Sequence, residues 1–148
     1  MLKIQIQINK KYEVQDPSLF LKSHYINESM RAKMIDWVIE VTKSYNLSED
    51  TFALTINTMD RYFQQCNRIL QVHELHVIGV SCMFIASKYE EIVPFNLKVL
   101  HEKIAHKKIS TDQIKAMEAD VLNVLEYSIN YGGNYLSQLT YSYFGEKL

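Results

Sequence analysis

A chain of 148 residues, 47% of them apolar, can bury the core of one domain, and with four glycines and two prolines it is too poor in turn residues for a hairpin-rich sheet protein. Its net charge of -1 provides no basic field for nucleic acid or for an anionic membrane. Two cysteines, Cys66 and Cys82, suit a reduced intracellular compartment better than a disulfide scaffold, and neither a signal peptide nor an apolar run of membrane-spanning length is visible.

The chain opens on MLKIQIQINK, where Leu2, Ile4, Ile6 and Ile8 alternate with polar residues. That period of two predicts a strand or an extended arm, taken here as residues 1–15. In the mixed segment that comes next, Phe20 and Leu21 are the expected anchors. Five helical patterns succeed it. The first starts behind Asn27, a helix cap, and runs to Ser44. The second opens with Ser48-Glu49-Asp50, a cap and two acids that suit the helix dipole, and reaches about Gln65. A third spans roughly Val72 to Glu90 and a fourth Asn96 to Ala105. The fifth begins at Ser110 or Thr111 and ends near Glu126. Gly132-Gly133 breaks the pattern, and a short aromatic helix is expected beyond it. The stretch VIGVSCMFIA in the third helix is apolar on every side, so that helix should be central and covered by its neighbours. The expected architecture is all-α, a five-helix globule around a buried third helix, with residues 16–148 as one domain.

Helical phase, about 100° per residue, leaves several charges in apolar company. In the fifth helix Ile114, Met117, Val121, Leu122, Val124 and Leu125 share an arc, and Glu118 falls inside it. An acid there is costly unless it is paired or meets a partner. In the first helix Met30, Met34, Trp37, Val38, Val41 and Tyr45 form a stripe that Ile35 and Ile39 widen, and Arg31 lies within it. In the second, Asp60 sits beside Ile56 and Ala53, at the border of an arc made by Phe52, Met59 and Phe63. Arg31 and Asp60 are expected to pair, the alternative being that each reaches solvent separately. Lys88 closes the third helix, where it either complements the dipole or serves an interface.

Enzyme motifs are weak. His73-Glu74-Leu75-His76 is not the zinc-binding H-E-x-x-H. His101 and His106 stand five residues apart, about 140° round a helix, and cannot share a metal on one face. The chain has no Gly-rich phosphate loop and no Cys-x-x-Cys. Neither a catalytic group, a metal nor a cofactor is expected.

Four runs carry a family resemblance. MRAKMIDWVIEV at Met30–Val41, TFALTINTMDRYF at Thr51–Phe63, VIGVSCMFIASKYEEIVP at Val77–Pro94 and IKAMEADVLNVLEYSI at Ile114–Ile129 resemble helices one, two, three and five of the A/B-type mitotic cyclin box. The likeness covers about Phe20 to Phe144, in order and with nearly the family's spacing. It implies a non-catalytic regulatory subunit that binds and activates a cyclin-dependent serine/threonine kinase in cell-cycle control, resident in nucleus and cytoplasm. The resemblance implies that Arg31 pairs with Asp60, that Lys88 and Glu118 contact the kinase, and that Tyr89 and Tyr127 pack near the same kinase helix. It also implies a shallow groove for substrates or inhibitors carrying Arg-x-Leu. Met30, Met34 and Trp37 match its patch, Ile78 its third-helix lining, and Glu40 the acid that meets the ligand arginine. The plainer reading of Met30 and Trp37 is ordinary core. A cyclin-like transcription adaptor that touches DNA is the rival within the fold, and the balanced charge disfavours it.

The chain departs from the pattern in three places. The alternating arm stands where the family has a helix that grips the kinase. Val77 stands where A-type cyclins often have Gln, and His106-Lys107-Lys108 is basic where acids would hold a ligand arginine. The sequence stops at Leu148, where mitotic cyclins continue into a second helical box; no second box is expected within it, and it is either a short single-box cyclin or a piece of a longer one.

Overall fold

A computed structural model of the protein describes residues 14–129. The alternating run at Met1–Lys10 and the helix expected beyond Gly132-Gly133 lie outside the described residues. Within them the chain is helical throughout and forms no strand.

Most of the helices start where a short polar side chain takes up a free backbone N–H group. Asp16 accepts the Ser18 N–H at 2.9 Å and starts a helical turn over Pro17–Phe20, which tightens into a 3₁₀ turn over Leu21–Ser23. Asn27 accepts the Met30 N–H at 2.9 Å and opens α1, Glu28–Ser44. Ser48 accepts the Thr51 N–H at 3.2 Å and opens α2, Glu49–Gln65. A 3₁₀ turn at Val72–Glu74 leads into α3, Leu75–Glu90. Asn96 caps α4, which begins as Leu97–Val99 and widens to a π-helical turn over Leu100–Ile104. Ser110 and Gln113 exchange side-chain and backbone hydrogen bonds, 2.8 and 3.1 Å, in a capping box that opens α5, Thr111–Val124.

The packing turns on α2 and α3, which make the most extensive contact; α5 packs broadly on α3, and α1 touches both α2 and α3. The interior of α3 is buried from Ile78 to Met83 and again over Ile85–Ser87. Gly79 permits the close approach of α1: a Cβ there would stand 2.5 Å from the Met34 sulfur. The second helix is more enclosed than an apolar arc requires, since every residue from Thr51 to Phe63 is buried. Helices α1, α3 and α5 and the Pro17–Phe20 turn surround it. Partners meet several of its polar side chains, which lowers the cost of enclosing them. Thr55 donates to the Thr51 carbonyl at 2.7 Å, Arg31 meets Asp60, and the Ser128 carbonyl accepts from Arg61.

Two polar ties hold the C-terminal end of α2. Buried His24 bonds the Phe63 carbonyl through Nε2 at 2.7 Å, and its Nδ1 accepts the Leu70 N–H at 3.1 Å, which assigns the ring proton to Nε2. The Tyr62 hydroxyl donates to Asp120 on α5, and Arg68 bridges Glu74 at 2.6 Å and Asp120 at 3.6 Å. The segment between α2 and α3 is thereby strapped to α5.

Candidate functional site

The Arg31–Asp60 pair joins the start of α1 to the middle of α2. The guanidinium donates through Nε to Oδ1 at 2.8 Å and through Nη2 to Oδ2 at 2.6 Å, the two-pronged geometry that planar guanidinium and carboxylate favour. The side chains are 13% and 5% exposed. Burial pushes the Asp60 carboxyl above the usual carboxylate range, and the guanidinium opposes that rise. The neighbouring Cys82 thiol is raised too, first by burial and then by the Asp60 charge. This pair is structural: it fastens two helices in the interior.

A different surface forms where α3 ends beside α5. Lys88 Nζ is hydrogen-bonded to Glu118 Oε2, and the ammonium also lies 4.0 Å from the centre of the Phe84 ring one turn earlier. Glu118, the acid that helical phase leaves among apolar residues, therefore has a cation across the helix pair. A cavity of 260 Å³ opens at this point, lined by Ile85, Lys88, Tyr89, Glu118, Leu122 and Tyr127. All four residues that the resemblance implies for kinase contact line this one cavity. Tyr89 and Tyr127 stand 52% and 62% exposed at its rim. With Lys88 42% exposed, the ion pair is worth at most about 1 kcal/mol of stability. Two aromatic side chains and an ion pair on a largely apolar floor are what a buried contact with another protein requires.

Tyr127 is held out by an unusual backbone. Beyond α5, Glu126 and Tyr127 have φ of 53° and 58°, left-handed values that cost non-glycine residues on the order of 1–3 kcal/mol each. Leu125 before them and Ile129 after them are buried, so the chain dips in, out and in again. Sequence reasoning missed two further parts of this region. Ile92 and Val93, beyond α3, are 99% and 83% exposed, and two adjacent β-branched apolar residues in a loop before Pro94 were the available signal. Arg61, whose Nη1 donates to the Ser128 carbonyl, left one signal, its place in the Asp-Arg of the second-helix run.

A cleft of 310 Å³ lies between α1 and α3, lined by Met34, Trp37, Val72, Leu75 and His76. Trp37 meets the His76 ring edge-on, centres 5.1 Å apart. Met34 is 8% exposed at its floor, and Glu40 is exposed one turn beyond Trp37. Met30 is half-buried against the core, apart from the cleft lining. Ile78 requires correction as a groove residue, because it is wholly buried. It stands about 200° round α3 from His76 and so faces the core; Leu75 and His76 take the place expected of it. Val77, half-buried, is not in the lining either. The Nε2 atom of His76 is buried with no hydrogen-bond partner among the described residues. Burial, reinforced by the charges of Lys108 and His106, holds this imidazole below its ordinary pKa.

His101 bonds the Ile109 carbonyl through Nδ1 at 2.6 Å, and His106 is exposed at a φ of 50°. Among the described residues, no three His, Cys, Asp or Glu side chains gather as metal ligands, and no helix is long and apolar enough to cross a membrane.

Residues 2–130 match the family described as Cyclin, N-terminal domain. Over 104 residues the sequence is 39% identical to Cyclin-A1-4 of Oryza sativa subsp. japonica, a match covering 70% of this chain and 28% of that protein. It is also 39% identical over 104 residues to G2/mitotic-specific cyclin S13-7 of Glycine max, covering 70% of this chain and 39% of the relative. With G2/mitotic-specific cyclin-B1 of Oryzias luzonensis it shares 32% identity over 110 residues, 74% of this chain and 27% of the relative. The chain thus spans well under half the length of these curated relatives. In backbone it is similar to the X-ray structure of a viral cyclin from herpesvirus saimiri, with a TM-score of 0.71 over 86% of this chain and 56% of that one. That pair is 18% identical in sequence, so the likeness is one of fold.

Proposed function

The chain belongs to the cyclin family through an N-terminal cyclin box of the A/B type, and from that premise we propose that it binds and activates a cyclin-dependent serine/threonine protein kinase. The observation that carries the proposal is the Lys88–Glu118 pair at an apolar-floored cavity, with Tyr89 and Tyr127 exposed at its rim. A helix of the kinase that sets its apolar side chains into this cavity exchanges water for protein, while its polar groups meet the ion pair. The cyclin supplies no catalytic group. By binding the kinase form whose mobile helix lies inward, it raises the population of that form. The inward helix completes the kinase's own Lys–Glu ion pair on the ATP phosphates, so control of helix position is control of rate. The cleft at Trp37 is the proposed docking place for Arg-x-Leu segments, with Met34, Leu75 and His76 around the leucine and Glu40 toward the arginine.

Affinity capture from cell extract, followed by a histone-directed kinase assay, tests the reading. Wild type is expected to retain an active kinase. Lys88→Ala/Glu118→Ala should lose most of that activity while melting within a few degrees of wild type. Undiminished capture and activation by the folded double variant would overturn the proposal, as would the absence of any kinase from the wild-type capture.

A further inference from the structure

We propose that Arg61 is a positioning residue for the proposed kinase-contact surface: from inside the core it holds the Ser128 carbonyl and thereby sets where Tyr127 stands. The inference rests on the function proposed above and adds a residue that does not touch the surface itself.

The α5 helix ends at Val124, and four backbone bonds shape the turn beyond it. Leu125 N–H donates to Val121, Glu126 to Asn123, Tyr127 to Leu122 and Ser128 to Leu125, at 2.8–3.1 Å. All four reach back toward α5. They close the turn, but none of the four ties it to another helix. The two consecutive left-handed residues, Glu126 and Tyr127, do not persist unless their surroundings over-determine them. The tertiary tie comes from α2. Arg61 Nη1 donates to the Ser128 carbonyl at 2.6 Å, between residues 67 positions apart. Arg61 is 1% exposed, the largest of the fully buried side chains. The guanidinium's fixed N–H directions suit it to hold one carbonyl in place, at a desolvation cost that an aliphatic side chain in the same space would not carry.

The geometry gives the hold its consequence. Ser128 lies between outward Tyr127, 62% exposed, and inward Ile129, 0% exposed. Fixing the Ser128 carbonyl fixes the peptide plane beyond it, and with the Leu125 and Ile129 anchors this leaves Tyr127 one path out, to the cavity rim beside Lys88 and Glu118. Release of the carbonyl frees the turn to unwind and Tyr127 to leave the rim. The surface is then no longer preorganised, and the partner must order it on binding.

The test uses the full chain with Arg61→Lys, Tyr127→Ala and the two combined. Lysine keeps the charge but loses the fork. Amide hydrogen exchange is read first, since a general loss of stability would raise it in every helix. Arg61→Lys is expected to speed exchange at Tyr127, Ser128 and Ile129 at least tenfold, with α1 and α3 unchanged. Affinity for a purified cyclin-dependent kinase is read second. Arg61→Lys should weaken it about tenfold, and Tyr127→Ala should add little on that background. If Arg61→Lys does not fold, Arg61→Gln, which keeps a donor without a charge, replaces it. Uniform acceleration of exchange, or affinity losses that multiply in the double variant, would refute the positioning role. Failure of the wild-type chain to bind any kinase would instead remove the function, and the exchange pattern would still decide whether Arg61 holds Tyr127.

Discussion

Asp60→Asn is the sharpest test of how this fold tolerates charge in its core. Asparagine keeps the shape and one acceptor for Arg31 Nε, but it turns an amide donor toward Nη2 at the place where 2.6 Å now separates donor from carboxylate. Two donors cannot share that space, and the guanidinium loses this counter-charge. Removing one partner of a buried pair costs about 3–5 kcal/mol. The lower end applies here, because Arg31 is 13% exposed and can recruit some water. A loss of about 3 kcal/mol lowers the melting temperature of a chain this size by roughly 6–12 °C. Arg31→Met should cost less below neutral pH, because burial already favours the protonated Asp60 carboxyl that it would leave behind. Arg31→Met with Asp60→Leu should recover most of the loss, since an apolar pair carries no desolvation penalty. Urea unfolding at constant m-value of wild type, Arg31→Met, Asp60→Asn and Arg31→Met/Asp60→Asn closes the double-mutant cycle and gives the coupling directly, with Arg31→Met/Asp60→Leu measured beside them. A loss under about 1 kcal/mol for Asp60→Asn, or the same loss with and without Arg31, would show that the pair does not govern this part of the core.

The α1–α3 contact gives two further expected outcomes. Gly79→Ala adds a Cβ 2.5 Å from the Met34 sulfur, the flexible part of that side chain. The gain in helix propensity, about 1 kcal/mol, should nearly offset the displacement, and thermal melts should lie within a few degrees of wild type. On a Met34→Ile background the same change should destabilise clearly, because a β-branched side chain cannot withdraw; equal effects on both backgrounds would refute the contact. His76 is held below its ordinary value in the folded state, so the unfolded chain takes up a proton first as pH falls. Its contribution is fully present above about pH 6.5 and is lost progressively below, down to the folded-state value. His76→Gln should flatten the stability curve over that window, and an unchanged slope from pH 7 to 5 would contradict the burial.

Much of the architecture is legible in local chemistry. Asn27, Ser48, Asn96 and Ser110 mark helix starts because a short polar side chain can reach the free N–H groups of its own first turn, whatever lies further off. The stretch from Val77 to Ala86 announces a covered helix because no side of it is polar. Phase alone also isolates Glu118 and Arg31 as charges in need of company. Phase also sets Asp60 inward as the partner for Arg31, the resemblance puts Lys88 and Glu118 together at a partner surface, and the coordinates bring each pair into contact.

Phase along one helix carries no information about which neighbour covers it. The α2 helix reads as half polar and is enclosed on all sides, because Arg31, Ser128 and Asp120 arrive from other elements to satisfy it. Ile78 reads as a groove residue and faces the core, because a shift of two positions turns a helical side chain about 200° and the groove falls to Leu75 and His76. Periodicity, caps and misplaced charges are local properties and survive in one dimension. The cavity at Tyr127, the cleft at Trp37 and the reach of Arg61 to Ser128 depend on distances between elements, and those distances exist only after the helices have packed.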